Sequence, residues 1–297
     1  VSVVQWSIGV VEAPIADFLG DVDAAVHWMP VQNDRFFADP FAVGEGDEVW
    51  VYAEEFRYAE GRARISALRY SGGRFHDPAR AQLCREHHIS YPFVVHSPEG
   101  RFVLPETAAA REIALYAEGN RGLRRMRTLV PDFAGLDPTL MWFDGRWWLF
   151  ATDGSRADTD ALHLFVSTNL WGPYRSHPLN PVREGRFGVR PAGTPFFHEG
   201  FWYRPAQDGT RRYGAAVVIQ RITKLSEDHF AEEPARVVGP RSDGPFPDGL
   251  HTLAAVGDWT LIDGYRRVAF RDSPGWYLRR RGAAAWNRVR QLVGGRA

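Results

Sequence analysis

The stretch Phe37-Ala38-Asp39-Pro40-Phe41 recurs in altered form along the chain as Ser90-Tyr91-Pro92-Phe93, Leu136-Asp137-Pro138-Thr139 and Val189-Arg190-Pro191-Ala192. A fifth copy, Leu250-His251-Thr252-Leu253, lacks the proline. Matched positions 40, 92, 138, 191 and 252 lie 52, 46, 53 and 61 residues apart. Periods of this size belong to solenoids or propellers.

The residues after each anchor choose between these two architectures. Pro40 leads into Gly44-Glu45-Gly46-Asp47 and Val49-Trp50-Val51-Tyr52, and Pro138 into Asp144-Gly145 and Trp147-Trp148-Leu149-Phe150. The other copies repeat the plan with Phe102-Val103-Leu104, Phe201-Trp202-Tyr203 and Trp259-Thr260-Leu261-Ile262. Each is an apolar strand, a hairpin turn and a second strand rich in aromatic or β-branched residues. Third strands are expected at 65–70, 113–116, 162–166 and 216–219. No helical periodicity intervenes, so the sequence predicts an all-β fold, a five-bladed β-propeller in one domain spanning 1–297. Its blades begin near 37, 89, 136, 189 and 250. The early run Val4–Val11 is expected to complete the last blade and close the ring, which removes an open sheet edge. A short helix is expected over 282–293.

Innermost strands line a propeller's axis. The residues matched to the position before each proline are Asp39, Tyr91, Asp137, Arg190 and His251. Packing alone would favour Val, Ile or Leu in most of them. A preproline residue is biased toward extended backbone, and all five are expected to project into the channel. The second strands end in another polar set: Glu54 and Glu106 each stand 14 residues after their proline, Thr152 matches them, and Asp263 takes the place in the fifth copy. The fourth copy has Tyr203-Arg204-Pro205-Ala206-Gln207-Asp208 there. Either Glu54 or Glu55 faces inward, since strand side chains alternate. His88 and Ser90 precede the second anchor. His87 and His88 are adjacent on a strand and point apart, which argues against a shared ion. Asp77, Asp158, Asp160 and His177 fall in loop-like contexts and read as surface residues.

Bulk composition narrows the function. Arg and Lys number 36, as do Asp and Glu, so no net charge gathers nucleic acid or anionic lipid. The basic run at 279–281 is short and reads as a solvated strand end. One cysteine, Cys84, excludes an internal disulfide and reads as an idle thiol. There is no apolar run of membrane-spanning length, and the first residues lack a signal-peptide pattern. The expectation is a cytoplasmic protein bound to neither nucleic acid nor membrane.

Phe37–Phe41, His88–Pro92, Leu104-Pro105-Glu106, Ile113-Ala114-Leu115-Tyr116, Arg190–Gly193, Tyr203–Gly209, Tyr213-Gly214 and His251-Thr252 resemble the propeller domain at the N-terminus of plant glucosamine inositolphosphorylceramide transferases. Similar bacterial proteins carry that domain alone or beside formyltransferase-like domains. The resemblance implies a fold similar to glycoside hydrolases of the arabinanase and xylosidase type, which work with paired carboxylates. It implies Asp39 as the base, or as the nucleophile in a retaining reaction. Where such enzymes place an acid-tuning Asp, this chain has Tyr91; where they place the acid Glu, it has Asp137. Glu106 is another proton donor to weigh. A Ca²⁺ near His251 is implied by some such propellers; no other cofactor is expected.

These readings give a carbohydrate or carbohydrate-like ligand contacted by Glu54, His88, Ser90, Tyr91, Arg190, Arg204, Gln207, His251 and Asp263, with Asp39, Glu106 and Asp137 as catalytic candidates. Hydrolase-like chemistry is the first expectation. A non-catalytic glycan or sugar-nucleotide module serving a partner glycosyltransferase or formyltransferase-like enzyme is the second. A propeller recruited to non-sugar small-molecule biosynthesis is the third.

Overall fold

The computed structural model describes residues 2–269 apart from 46–47, 121 and 157–158. The expected helix at 282–293, the basic run at 279–281 and Asp158 lie outside the described residues.

Five antiparallel sheets form the five blades of a β-propeller. Inner and second strands are Arg35–Glu45 and Glu48–Arg57 in blade 1, Ser90–Ser97 and Gly100–Glu106 in blade 2, and Gly135–Phe143 and Arg146–Asp153 in blade 3. Blade 4 splits its inner strand into Phe187–Pro191 and Phe196–His198, both paired with Phe201–Asp208. Blade 5 pairs Leu253–Val256 with Trp259–Ala269. Third strands run at Arg62–Ser71, Glu112–Gly119, Asp160–Ser167 and Ala216–Leu225, longer than their apolar cores suggest. Sheet faces are covered by neighbouring blades, so the second strands read as unbroken apolar runs: Trp148, Leu149, Phe150 and Ala151 are all buried.

Ser2–Val11 is the third strand of blade 5 and pairs along its whole length with Trp259–Ala269, and Val26–Trp28 adds a fourth. The ring is therefore closed by the N-terminal strand, as the sequence predicts.

One backbone expectation is corrected. Asp39, Tyr91 and Asp137 are not extended; their φ angles are 50°, 44° and 49°. Each sits where the inner-strand register slips, at Ala38/Phe41, Ser90/Phe93 and Leu136/Thr139. The slip is a β-bulge, which re-aims a side chain. Asp tolerates a left-handed φ. Tyr91 tolerates it less, and such a residue persists only where its surroundings over-determine it.

Near the axis, the inner parts of blades 4 and 5 meet directly. Thr194 N–H donates to Leu253 O at 3.0 Å and Leu253 N–H to Ala192 O at 2.8 Å. Gly193, with φ 140°, permits this approach: a Cβ there would lie 1.6 Å from Leu253 O.

Candidate functional site

Two rings of side chains build the axial pocket. The first comes from the bulged inner strands, the second from the ends of the second strands. Register places Glu54 opposite Ala38, Glu106 opposite Ser90 and Thr152 opposite Leu136, so one level of the channel is polar in successive blades. Alternation sends Glu55 to the other face, where it accepts from Ser66 Oγ at 2.5 Å and Arg57 Nε at 2.8 Å.

A rule connects the rings: a second-strand carboxylate holds the bulged amide of the next blade. Asp137 N–H donates to Glu106 Oε2 at 3.1 Å, and Asp39 N–H donates to Asp263 Oδ2 at 3.1 Å. Charged acceptors of this kind make strong bonds to backbone N–H groups.

Around blades 5 and 1, Asp263 is fully buried. It also accepts from the amides of His251 and Thr252 at 2.9 and 3.0 Å, and contacts His251 Nδ1 at 2.6 Å. His251 Nε2 faces Asp39 Oδ1 at 3.8 Å, and Thr252 Oγ1 donates to the same oxygen at 3.1 Å. Burial alone would push the His251 pKa down, but the carboxylates of Asp263 and Asp39 outweigh it and raise it. Burial pushes Asp39 up to about 6, against the pull of His251 and with help from Asp137.

Around blades 2, 3 and 4, Asp137 accepts from Arg190 Nε at 2.5 Å, Arg190 Nη2 at 3.1 Å and Gln207 Nε2 at 2.9 Å. Arg190 also lies 3.6 Å from Glu106 Oε2 and over the Tyr213 ring at 5.5 Å. Burial raises the Glu106 carboxyl well above the usual range, and Asp137 adds to this. Burial likewise raises Glu54, followed by Asp39, Glu106, Asp263 and Asp137. Five carboxyls thus converge on one small volume. His88 Nε2 is 3.7 Å from Glu54 Oε1, and burial and Arg190 push its ring down to about 4. Ser90 is buried opposite Glu106.

Four expectations need correction. Asp137 does not fit the proton donor: its oxygens are taken by Arg190 and Gln207, and it anchors the guanidinium. Tyr91 is fully buried; its hydroxyl pairs with Thr139 Oγ1 at 2.9 Å and accepts Gly193 N–H at 2.7 Å, so it bridges blades 2, 3 and 4 rather than meeting a ligand. Asp263 spends its oxygens on three amides and an imidazole. Arg204 is fully buried away from the axis, bonded to Glu232 and to the carbonyls of Gly188 and Val189. Strand alternation explains the contrast with Gln207, three residues on and therefore on the opposite face.

Sequence reading missed Tyr213 and Trp6 as site residues. Trp6 stacks on His251 with centroids 4.1 Å apart, and Tyr213 meets the same ring edge-on at 5.2 Å. Burial raises the Tyr213 hydroxyl well above its ordinary value, and its neighbours include Arg190, Asp39, Asp137 and Glu54. Its place in Tyr213-Gly214 among the matched pieces was the one available signal. Outside the pocket, His177 is buried rather than on the surface, with Nε2 bonded to Ser226 O at 3.1 Å, and Cys84 is exposed.

Oxygen or nitrogen atoms of Asp39, His251 and Asp263 lie within 4.8 Å of one another, a spacing that suits a metal ion. The donor set does not fit Ca²⁺, which takes six to eight oxygens. Asp263 already accepts from four donors, and Nδ1 of His251 is held against it. Among the described residues, this trio would leave little more than one carboxylate for the ion.

The family described as glucosamine inositolphosphorylceramide transferase 1, N-terminal, matches residues 18–241. The chain belongs to this family. It is 30% identical over 210 residues to glucosamine inositolphosphorylceramide transferase 1 of Oryza sativa subsp. japonica, covering 68% of this chain and 28% of that protein. The same-named protein of Arabidopsis thaliana is 26% identical over 256 residues, covering 77% and 33%. The chain thus spans about a third or less of these relatives' length. Among solved structures, Zg3597, a family 117 glycoside hydrolase from Zobellia galactanivorans, matches with a TM-score of 0.53 at 15% identity, covering 79% of this chain and 85% of that one. At this identity the likeness is one of fold. No described helix is long and apolar enough to cross a membrane.

Proposed function

We propose that the axial pocket acts on a carbohydrate or carbohydrate-like small molecule by acid–base chemistry between carboxyl groups. The observation that carries this reading is the convergence of Asp39, Glu54 and Glu106, none neutralised by a close bidentate arginine, beside Arg190 and Tyr213. Asp39 serves as base toward an attacking water, or as nucleophile in a retaining reaction. A neutral glutamic acid of the second-strand ring supplies the proton to the leaving oxygen, and burial among like charges is what keeps such a group protonated near neutrality. Arg190, Tyr213 and His88 orient hydroxyl or anionic groups. The decisive experiment is Asp39→Asn, assayed on a panel of phenyl and 2,4-dinitrophenyl glycosides of pentoses, hexoses and amino sugars. Turnover falls by about 10²-fold or more while the folded protein keeps its melting behaviour at low pH; an unchanged rate overturns the assignment.

A second reading is a binding module that presents a glycan or sugar nucleotide to a partner enzyme, of glycosyltransferase or formyltransferase-like type. Its support is the tethering of Asp137 by Arg190, and the transferase named in the curated relatives, of which this chain matches only a part. Binding of sugars without turnover of any glycoside, in wild type and Asp39→Asn alike, favours it.

A further inference from the structure

We infer that Glu54, rather than Glu106, is the proton donor of the axial pocket. The inference rests on the acid–base reading above and assigns a role within it. It comes from comparing the ends of the five second strands. Asp263 is saturated by four donors. Gln207 is spent on Asp137. Thr152 has no carboxyl. Glu106 holds the bulged amide of Asp137 and lies beside Arg190. Glu54 occupies the same level of the same ring, yet makes no hydrogen bond among the described residues. His88 Nε2 lies 3.7 Å from its Oε1.

These differences have chemical consequences. Transferring a proton from Glu106 would place new charge on a group that also fixes the bulge carrying Asp137, the anchor of Arg190. A proton donor works best where its acidic oxygen is committed to nothing but the substrate. His88 does not neutralise Glu54, because burial and the charge of Arg190 keep the imidazole uncharged down to about pH 4. Arg190 directs its charge at Asp137 and Glu106. Burial, and after it the charge of Asp39, raise the Glu54 carboxyl well above the usual carboxylate range, which favours its acid form. His88 is partly exposed beside Glu54.

The step balances simply. The Oε–H proton of Glu54 passes to the leaving oxygen while the electron pair of the breaking C–O bond goes to that same oxygen. The oxygen of a water molecule forms the new C–O bond, and Asp39 takes the proton that water releases. Solvent then returns a proton to Glu54 and removes one from Asp39.

Comparing leaving groups tests the assignment. A 2,4-dinitrophenyl leaving group needs no proton, whereas a phenyl leaving group does. Glu54→Gln is expected to lose about 10²–10⁴-fold in kcat on phenyl glycosides and less than about tenfold on the dinitrophenyl analogues. Glu106→Gln is expected to lower both together. The opposite pattern, or equal losses for Glu54→Gln on both substrates, overturns the role of Glu54 and leaves the acid–base reading standing. Wild-type protein that turns over no glycoside in the panel overturns both. A second measurement covers a variant that fails to fold. In wild-type protein with ¹³C-labelled glutamate, the Glu54 carboxyl, assigned through its side-chain connectivity, should resonate as a protonated acid at pH 7. An ionised resonance there overturns the inference, whatever substrate the pocket takes.

Discussion

Two arginines, the half-buried Arg190 and the fully buried Arg204, each grip a carboxylate, and the difference between them separates framework from site. Arg204 is wholly enclosed between blades 3 and 4. Its nitrogens meet Glu232 and two carbonyls, and its guanidinium lies over Phe150 at 5.7 Å. Arg190 binds Asp137 through two nitrogens but leans toward Glu106 and keeps 18% of its side chain exposed to the pocket. One pair is closed in every direction. The other is closed on one side and open toward the axis. An arginine in a strand thus says little until its unsatisfied directions are known.

Substitutions can break or sharpen that contrast. The largest effect belongs to Arg204→Ala, which leaves the Glu232 carboxylate with Arg183 alone, at 3.1 Å, and should cost about 3–5 kcal/mol of stability in urea unfolding, with normal turnover per folded molecule. Loss of turnover with unchanged stability would erase the distinction between the two arginines. Asp137→Asn should act in the opposite sense: Arg190 loses its anchor, and kcat/KM on aryl glycosides falls by the equivalent of about 1.5–3 kcal/mol, with a smaller stability change than Arg204→Ala.

Asp39→Asn separates stability from activity through pH. The folded pKa of Asp39 is raised from 3.8 to about 6, so the stability it contributes is complete below 3.8 and lost as pH rises through about 6. The asparagine variant, which mimics the protonated form, should therefore match wild type in Tm at pH 4. It should exceed wild type at pH 7.5, by roughly 2–4 °C for each kcal/mol recovered. A Tm difference that does not grow with pH would show that Asp39 carries no burial penalty. The smallest effect is Gln207→Leu, which removes a single bond to Asp137 and should cost about 1–2 kcal/mol, visible as a modest drop in Tm.

Much of the architecture was legible because the anchor recurs at one register. The five inner strands, the second strands and the closing N-terminal strand all carry an apolar or aromatic signal bounded by turns. The outer strands were not legible. Gly122–Pro131, with Arg124, Arg125 and Arg127, and Phe230–Val238, with Glu233 and Arg236, face solvent over much of their length and carry no apolar alternation to read. Within the pocket, matched spacing found Asp39, Glu54, Glu106, Asp137, Arg190 and His251. It misjudged the roles of Asp137, Tyr91, Arg204 and Asp263, since residue type does not reveal which atoms the fold has already used. The left-handed bulges escaped notice because a proline at the next position biases the backbone the other way, and at Asp39 and Asp137 carboxylates from neighbouring blades override that bias.

Closure by the first strand also sets an order of events during synthesis. Ser2 pairs with Ala269 and Val11 with Thr260, so the ladder joining them cannot form until nearly the whole described chain has left the ribosome. Until then the apolar strand Ser2–Val11 has only the short Val26–Trp28 to pair with, while four complete blades wait for the fifth. The last seam to close is thus the one beside His251 and Trp6, and the pocket comes into being only when the ring does.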